Sequence, residues 1–213
     1  MMSGKSWGYV VQFFCLLVFL GMSPFLIKMD GRKTMSVSSD SVRSQNVSDE
    51  VKPVAALTFD DGPNASSTPI LLDGLKERKV RATFFLIGEN VEKDENEKIV
   101  KRMYEEGHLI GNHTYTHCNL SKLETGEAKK ELEQTDTVIE KITGKQPVFA
   151  RAPYGELPVD SEQDLSRIYI GWTVDPLDWM TEDAGAVVKT VVEEINPGDI
   201  ILLHDCYPSS VQA

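Results

Sequence analysis

Short apolar runs alternate with amphipathic segments from residue 54 onward, and this alternation constrains the fold more than any other feature of the chain. "VAALTF" (54–59) and "RATFFLIG" (81–88) have the length and apolar content of buried strands. Between them, "STPILLDGLKERK" offers Ser67 or Thr68 as a cap, a proline in the first turn and four apolar residues, which is typical of a helix. The order strand, helix, strand predicts a β-α-β unit and therefore a parallel sheet.

The same alternation continues to the end of the chain without an internal repeat. It predicts an α/β domain over residues 53–213, built on a parallel sheet or barrel with functional groups at the carboxyl ends of the strands. The further predicted elements are helices near 96–106 and 124–142, and strands near 108–111, 147–150, 168–174 and 199–203.

Ionisable side chains recur directly after the predicted strands, and packing alone does not require this recurrence. Because the carboxyl ends of parallel strands lie at one edge of a sheet, we expect these side chains to converge. They are Asp60 and Asp61 after "VAALTF", His113 and His117 after "HLIG", Asp175 and Asp178 after "IYIGWTV", and His204 and Asp205 after "DIILL".

The segment "HTYTH" is a candidate metal-binding motif. The chain has only four histidines, and His113 and His117 stand four residues apart. On one helical turn this spacing aims both imidazoles to the same side, which suits a tetrahedral zinc site with nitrogen and oxygen ligands. A catalytic zinc needs a third protein ligand, commonly a carboxylate. The alternative is a pair of surface histidines on a loop, because short motifs also arise by chance.

The segment "TFDDGP" offers two carboxylates at the end of a strand. Asp60 and Asp61 are adjacent, and adjacent residues that leave a strand point to different sides. One could therefore bind a metal while the other faces the reacting water, and the spacing leaves open which does which. A simple turn is the alternative, since Asp, Gly and Pro are all turn formers.

Five short motifs occur in the order and spacing of one known family. They are "TFDDGP" (58–63), "HTYTH" (113–117), "RAPYG" (151–155), "DPLDW" (175–179) and "ILLH" (201–204). With them, the chain from about residue 54 to 206 resembles the polysaccharide deacetylases, also called the NodB-homology domain, family four of the carbohydrate esterases. The resemblance implies a deformed (β/α) barrel and a divalent metal, usually zinc, used to hydrolyse the N-acetyl groups of amino sugars in a polymer.

The resemblance implies that Asp61, His113 and His117 bind the metal, which would be Zn²⁺ or another divalent ion such as Co²⁺ or Mn²⁺. It makes Asp60 the general base that takes a proton from the reacting water, and so divides the roles of the adjacent aspartates. Arg151 would pair with Asp60 and keep it ionised and oriented, a task that suits a bidentate guanidinium.

The resemblance also implies roles around the leaving group. His204 would be the general acid that protonates the departing amine, and Asp178 would hold its imidazole in the correct tautomer and raise its pKa. The backbone amide of Tyr154 would stabilise the oxyanion of the tetrahedral intermediate. Trp179 and Leu202, with Tyr154, would bind substrate by walling the pocket of the acetyl methyl group. From the residues alone, these three side chains could equally serve packing.

The remaining histidine and the cysteines are expected to be structural. His108 matches a recurrent, non-catalytic histidine of the family. Cys15, Cys118 and Cys206 fit no CxxC spacing, so unpaired thiols are expected. The alternative is that Cys118 and Cys206, which stand beside site histidines, approach one another and form a disulfide.

The N-terminal part of the chain has a different character. Residues 7–27 carry no charge over a length that spans a bilayer, and no A-x-A-like cleavage site follows. We therefore expect an uncleaved membrane anchor within residues 1–29, with a cleaved signal ending near Ser23 as the alternative. Residues 30–52 are polar and serine-rich without an apolar period, which predicts a flexible tether.

The charges of the chain exclude one class of partner. Its 33 Asp and Glu outnumber 22 Lys and Arg, and the resulting net charge of −11 repels nucleic acid. Charges flanking the apolar stretch weakly favour a cytoplasmic C-terminal side. A wall polymer as substrate places the domain outside instead. We therefore predict a single-pass protein of the cell membrane with its domain on the extracellular face, or a secreted protein if the N-terminal segment is cleaved.

The C-terminus departs from the family pattern. The chain ends nine residues after His204, whereas the family continues through a further helix and strand. The resemblance therefore predicts a barrel that lacks its last helix and strand and has an open edge.

Peptidoglycan is the predicted substrate, through its N-acetylglucosamine, because an anchored enzyme suits an insoluble neighbour of the membrane. N-acetylmuramic acid, chitin-like oligosaccharides and O-acetylated xylan are alternative substrates that no motif separates. The alternative function is that of a truncated, membrane-tethered relic that binds metal or glycan without turnover.

Overall fold

The computed structural model describes residues 54–93, 95–158 and 167–213. The predicted anchor (1–29) and tether (30–52) lie outside the described residues. Within the described ranges, every helix is too short or too polar to span a bilayer.

Strands and helices alternate through the described part of the chain, as the sequence pattern predicts. The strands are β1 (Ala56–Asp60), β2 (Thr83–Leu86), β3 (Leu109–Asn112), β4 (Phe149–Ala150), β5 (Ile168–Tyr169) and β6 (Ile200–His204). The helices are α1 (Thr68–Arg78), α2 (Gly88–Val91), α3 (Asn96–Glu105), α4 (Thr125–Thr143), α5 (Ala184–Glu194) and α6 (Pro208–Gln212).

The strands form one parallel sheet in the spatial order β5-β4-β3-β2-β1-β6. Strand β1 lies between β2 and β6, and Asp60 at its end is in register with Phe85 on one side and His204 on the other. All strands run in the same direction, so their carboxyl ends meet at one edge. The prediction of a parallel α/β fold is confirmed.

The two faces of the sheet have different contents. Phe59 of β1 stacks on Phe84 of β2 with ring centroids 5.4 Å apart, and both rings are buried with Leu72 of α1 and Val100 of α3. Burial of each such side chain stabilises the fold by about 1.5–3 kcal/mol. Because side chains alternate along a strand, Asp60 points to the opposite face, into the interior of the curled sheet.

A single segment of the chain contacts both edges of the sheet. The N–H of Ile168 in β5 donates to the carbonyl of Val148 beside β4. Farther along, Val174 forms a bridge with Ile201 of β6, and Leu202 N–H donates to the carbonyl of Val174 at 2.9 Å. The predicted strand 168–174 is thus a two-residue strand, β5, followed by a segment that crosses to the far edge of the sheet and pairs there with β6.

Helix α5 was not predicted, although the sequence contains a start signal for it. Asp183 caps the helix, because its carboxylate accepts from the N–H groups of Gly185 and Ala186 at 2.8 and 3.3 Å. Val187 is buried against the core, whereas Val192 is exposed.

Candidate metal centre and active site

Asp61 reaches the site because the backbone turns sharply after β1. Its φ is 71°, in the left-handed region that few residues other than glycine adopt. The turn is held in place by Asn90, whose side-chain amide donates to the Asp61 carbonyl at 2.7 Å. Gly62 is required next to it, because a Cβ there would overlap the buried carboxyl group of Asp205.

His113 and His117 lie on a loop after β3, so the prediction of a helical turn is wrong. Thr114 and His117 have φ values of 66° and 58°, which a right-handed helix excludes. The two imidazoles nevertheless come together, with ring centroids 5.1 Å apart. The backbone conformation of the loop therefore brings the two imidazoles to the same side, which we expected a helical turn to do.

Asp61, His113 and His117 offer one ligand atom each within 4.8 Å of one another. The Oδ1 atom of Asp61 is 3.4 Å from Nε2 of His113 and 3.2 Å from Nε2 of His117. Zinc bonds of 2.0–2.1 Å at tetrahedral angles would separate ligand atoms by about 3.4 Å. Asp61 Oδ1 is also buried without a hydrogen-bond partner. Two nitrogens and one oxygen at this spacing fit a divalent metal.

The tautomer of His113 suits a metal ligand. Its Nδ1 lies 2.7 Å from the carbonyl oxygen of Arg151, so Nδ1 carries the proton and Nε2 presents its lone pair to the site. Burial opposes a charged imidazole, but Asp60 and Asp61 outweigh it and raise the pKa of His113. The surroundings of this histidine therefore favour a positive charge at the centre.

Asp60 and Arg151 form a buried ion pair next to the candidate metal centre. Their relative exposures are only 3% and 1%, and Nη1 of Arg151 lies 2.8 Å from Oδ1 of Asp60. The other carboxylate oxygen of Asp60 faces His113, at 3.7 Å from its Nε2. This geometry leaves one oxygen of Asp60 directed at the centre.

The contact between Arg151 and Asp60 is not bidentate, which corrects the expected geometry. The same Nη1 donates to Thr58 Oγ1 at 2.8 Å, and the remaining donors reach the carbonyls of Ile170 and Gly171 at 3.1 and 2.9 Å. The guanidinium also lies 4.3 Å from the ring centroid of Phe85. Arg151 is thus fixed by several elements and holds Asp60 through one hydrogen bond.

His204 and Asp178 form a second pair beside the centre. Nδ1 of His204 is 2.8 Å from Oδ1 of the fully buried Asp178, and Nε2 points toward Asp61, 4.0 Å from its Oδ2. Burial opposes protonation of His204, but the hydrogen bond and charge of Asp178 outweigh it and raise the pKa of the imidazole. Asp178 also accepts from the backbone N–H of His204 at 2.7 Å and from the hydroxyl of Ser210.

The three predicted substrate-contacting residues differ in exposure. Tyr154 is 66% exposed, its φ is 62°, and its hydroxyl lies 3.3 Å from Nδ1 of His117. Trp179 is 51% exposed, which excludes a core position. Leu202 is buried on β6, two residues before His204, and therefore faces the same side of the sheet as His204.

The other residues singled out by the sequence lie apart from the metal-ligand set. His108 is buried and accepts from the N–H of Ala82 through Nδ1 at 3.1 Å, a structural role. Cys118 and Cys206 are free thiols, so the alternative of a disulfide between them is wrong. Burial raises the pKa of Cys206 to about 12.

Several residues that support the site were given no role by the sequence. Asp205 is fully buried, accepts from Thr68 Oγ1 at 2.6 Å, and has its pKa raised to about 7 by burial. Its place directly after His204 was the only available signal. No signal in the sequence pointed to Ser210 or Glu131, because their hydrogen-bond partners, Asp178 and Thr116, lie in other parts of the chain.

Comparisons with known proteins agree with the motifs. A family model described as polysaccharide deacetylase matches residues 48–170. A peptidoglycan-N-acetylglucosamine deacetylase of Bacillus cereus is 43% identical over 158 residues, which cover 72% of this chain and 56% of that protein. The peptidoglycan-N-acetylmuramic acid deacetylase PdaC of Bacillus subtilis is 38% identical over 173 residues, 81% of this chain and 37% of that protein. The chain thus spans little more than half the length of the first relative.

The fold is also that of a solved deacetylase. The structure of the peptidoglycan deacetylase PdaC from Bacillus subtilis has a TM-score of 0.73 and 38% sequence identity to this chain. The likeness covers 78% of this chain and 81% of the solved one, so it includes most of the sheet and its helices.

Proposed function

The chain belongs to the polysaccharide deacetylase family, and we propose that it removes N-acetyl groups from the amino sugars of a polysaccharide by metal-dependent hydrolysis. One observation carries the proposal. The three-residue ligand set Asp61, His113 and His117 lies between a buried carboxylate, Asp60, and a histidine–carboxylate pair, His204 with Asp178. Hydrolysis of an amide needs a base on one side and an acid on the other, and this arrangement supplies both.

Asp61, His113 and His117 would hold the metal, and zinc is the ion that we propose. Two imidazoles and one carboxylate are a common catalytic zinc set, although Co²⁺ or Mn²⁺ would also accept these donors. When bound, the metal acts as a Lewis acid that polarises the acetyl carbonyl group.

Asp60 is the proposed general base. Its free oxygen faces the centre, 3.7 Å from His113 Nε2, and can take a proton from the attacking water. Arg151 balances its charge and fixes its orientation through the hydrogen bond at 2.8 Å. The backbone amide of Tyr154 is the proposed donor to the developing oxyanion.

His204 is the proposed general acid for the leaving amine. Asp178 binds Nδ1–H, which leaves Nε2 to carry the transferable proton toward the site. The raised pKa of His204 favours the protonated form that this role needs. Trp179, Leu202 and Tyr154 are proposed to contact the acetyl group and the sugar, with Trp179 offering an exposed aromatic face.

Replacing His204 with alanine is expected to discriminate between two substrates. Acetate release from an N-acetylated chitooligosaccharide should fall about 10²–10⁴-fold, because the amine cannot leave without a proton. Hydrolysis of 4-nitrophenyl acetate should change much less, since nitrophenolate departs unprotonated. The control is Tyr207→Phe, whose ring packs 5.6 Å from that of His204. An equal loss on both substrates would contradict the assignment of a general acid.

The proposed polymer is peptidoglycan, deacetylated at N-acetylglucosamine. The support is the similarity to the Bacillus cereus relative, which is named a peptidoglycan-N-acetylglucosamine deacetylase. PdaC is named for N-acetylmuramic acid and makes that amino sugar the nearest alternative. The test treats purified peptidoglycan with the protein, hydrolyses the polymer and separates its amino sugars. The amino sugar that has lost its acetyl group identifies the substrate. A relic without turnover is less favoured, because every residue required for the proposed chemistry is present.

The catalytic domain is proposed to act outside the cell, held at the membrane by residues 7–27. The support is the uncharged stretch itself together with a wall polymer as substrate. Protease added to intact cells is expected to digest the domain. A domain that is protected until the cells are lysed would place it on the cytoplasmic side and contradict this localisation.

A further inference from the structure

The loop between the two histidine ligands is bound through almost all of its polar backbone groups. The N–H of Thr114 donates to Asn112 Oδ1 at 2.8 Å. The N–H groups of Tyr115 and Thr116 both donate to one carboxylate oxygen of Glu131, Oε2, at 3.0 and 2.8 Å, and the Thr116 hydroxyl adds a third bond at 3.1 Å. Glu131 therefore accepts two successive backbone amides and one hydroxyl from the two neighbouring residues Tyr115 and Thr116.

This loop needs external support because its backbone conformation is unfavourable. Thr114 and His117 both have positive φ values, and threonine is β-branched, so each position costs about 1–3 kcal/mol. Such conformations persist only where the surroundings determine them. Successive N–H groups that point to one side form a cradle for an anion, and the carboxylate of Glu131 occupies the cradle here.

Glu131 belongs to a rigid part of the molecule. It lies on helix α4, whose residues Ala128 and Leu132 are buried on either side of it along the helix. The same helix holds Asn112, because the Asn112 amide donates to the carbonyl of Leu132 at 2.7 Å and to Asp136 at 2.6 Å. Through these contacts helix α4 fixes both the start and the middle of the loop.

The opposite side of the loop is fixed by helix α2. The carbonyls of Thr114 and Tyr115 accept from the N–H groups of Gly88 and Glu89, each at 3.0 Å. Gly88 permits this approach, since a Cβ at that position would overlap the Tyr115 ring. The loop is thus held from two sides, and Glu131 supplies the only charged acceptor that the described residues direct at its backbone amides.

We propose that Glu131 is a positioning residue for metal binding: its carboxylate fixes the backbone between His113 and His117 and so sets the separation of the two imidazoles. The proposal rests on the metal site of the proposed function. Glu131 hydrogen-bonds the loop rather than either imidazole, so its effect reaches the metal only through the positions of the ligands.

The test measures zinc affinity, without catalysis, on the full chain by competition with a chromophoric chelator. Glu131→Ala is expected to raise the zinc Kd about 10–100-fold, the usual effect of losing a residue that orients metal ligands. Glu131→Gln should raise it less, because the amide oxygen can accept the same N–H groups. Glu133→Ala is the matched control, since this exposed glutamate of the same helix pairs, within the described part of the chain, with Lys129 at 3.6 Å. It should leave the Kd unchanged.

Melting temperatures of the metal-free proteins separate positioning from folding. The proposal predicts a smaller zinc-induced rise of Tm for Glu131→Ala than for the parent chain, because stabilisation by a ligand falls with the logarithm of its Kd. If Glu131→Ala does not fold, Glu131→Met decides, because it keeps the length of the side chain but lacks an acceptor, and a parent-like Kd in that variant overturns the proposal. A parent-like Kd in a folded Glu131→Ala variant also overturns it. A parent chain that binds no zinc would instead refute the metal site of the proposed function.

Discussion

Asp60→Asn is expected to lower the rate of acetate release about 10²–10⁴-fold, while the zinc affinity stays within a few-fold of the parent value. The loss follows from the role of a general base, which asparagine cannot take because its amide does not accept a proton. The shape of the residue is kept, so Arg151 retains an acceptor at the position of Asp60 Oδ1. Acetate release and zinc binding, measured on the same preparation, separate the base from the ligands.

Asp73→Asn is the matched control for this prediction. The substitution makes the same chemical change on the surface of α1, where the carboxylate of Asp73 pairs with Arg102. It should leave both quantities unchanged. An Asp60→Asn variant that keeps full activity would refute the assignment of the base. One that loses zinc together with activity would make Asp60 part of the metal site instead.

His117→Ala is expected to weaken zinc binding roughly 10²–10³-fold and to abolish acetate release at zinc concentrations that saturate the parent. Structural zinc sites with four ligands bind with about 10–16 kcal/mol, so one ligand contributes about 2.5–4 kcal/mol. His117 is the most suitable of the three proposed ligands for this test. Its side chain is partly exposed, whereas that of His113 is buried.

The control for the metal prediction lies in the same loop. Tyr115→Phe removes only a hydroxyl that reaches Glu92 at the surface, at 2.5 Å, and leaves the backbone of the loop intact. Its zinc affinity should equal that of the parent. If His117→Ala binds zinc as tightly as Tyr115→Phe does, then His117 is not a ligand, and the centre must be built from other residues.

The order of elements could be predicted from the sequence because apolar strands and amphipathic helices differ in periodicity. Helix α1 and strands β1 and β2 occur within a few residues of the predicted bounds. Helix α5 was missed although its apolar residues recur at helical spacing after the cap at Asp183: Ala184, Val187, Val188, Val191 and Val192. The periodic signal of this helix was therefore present in the sequence, even though only Val187 of these residues is fully buried.

The conformation of the metal-binding loop could not be predicted from its residue types. Spacing of His113 and His117 suggested a helix, since i and i+4 side chains share a helical face. The loop instead takes positive φ values at Thr114 and His117, which are stabilised by Glu131 and α2. Contacts from helices distant in the chain outweigh the local preference, and a single sequence does not record which distant residues meet.

The path of the chain across the open side of the sheet also depends on tertiary contacts. The predicted strand 168–174 pairs with β4 at its start and with β6 at Val174. The resemblance predicted a barrel with an open edge, and the earlier segment supplies a pairing partner for β6 at Val174. Hydrogen bonds between distant residues, such as Leu202 N–H to the Val174 carbonyl, are invisible to a periodic pattern.

Acetate release from N-acetylated glycan by the purified full chain is the most direct test of the proposed deacetylase activity. The chain should be stripped of metal with a chelator and then titrated with zinc in the presence of peptidoglycan and of chitooligosaccharides. We predict no acetate without metal, and release that rises with zinc until about one equivalent is bound. A chain that binds one zinc yet releases no acetate from either substrate would contradict the proposed activity and favour a binding protein without turnover.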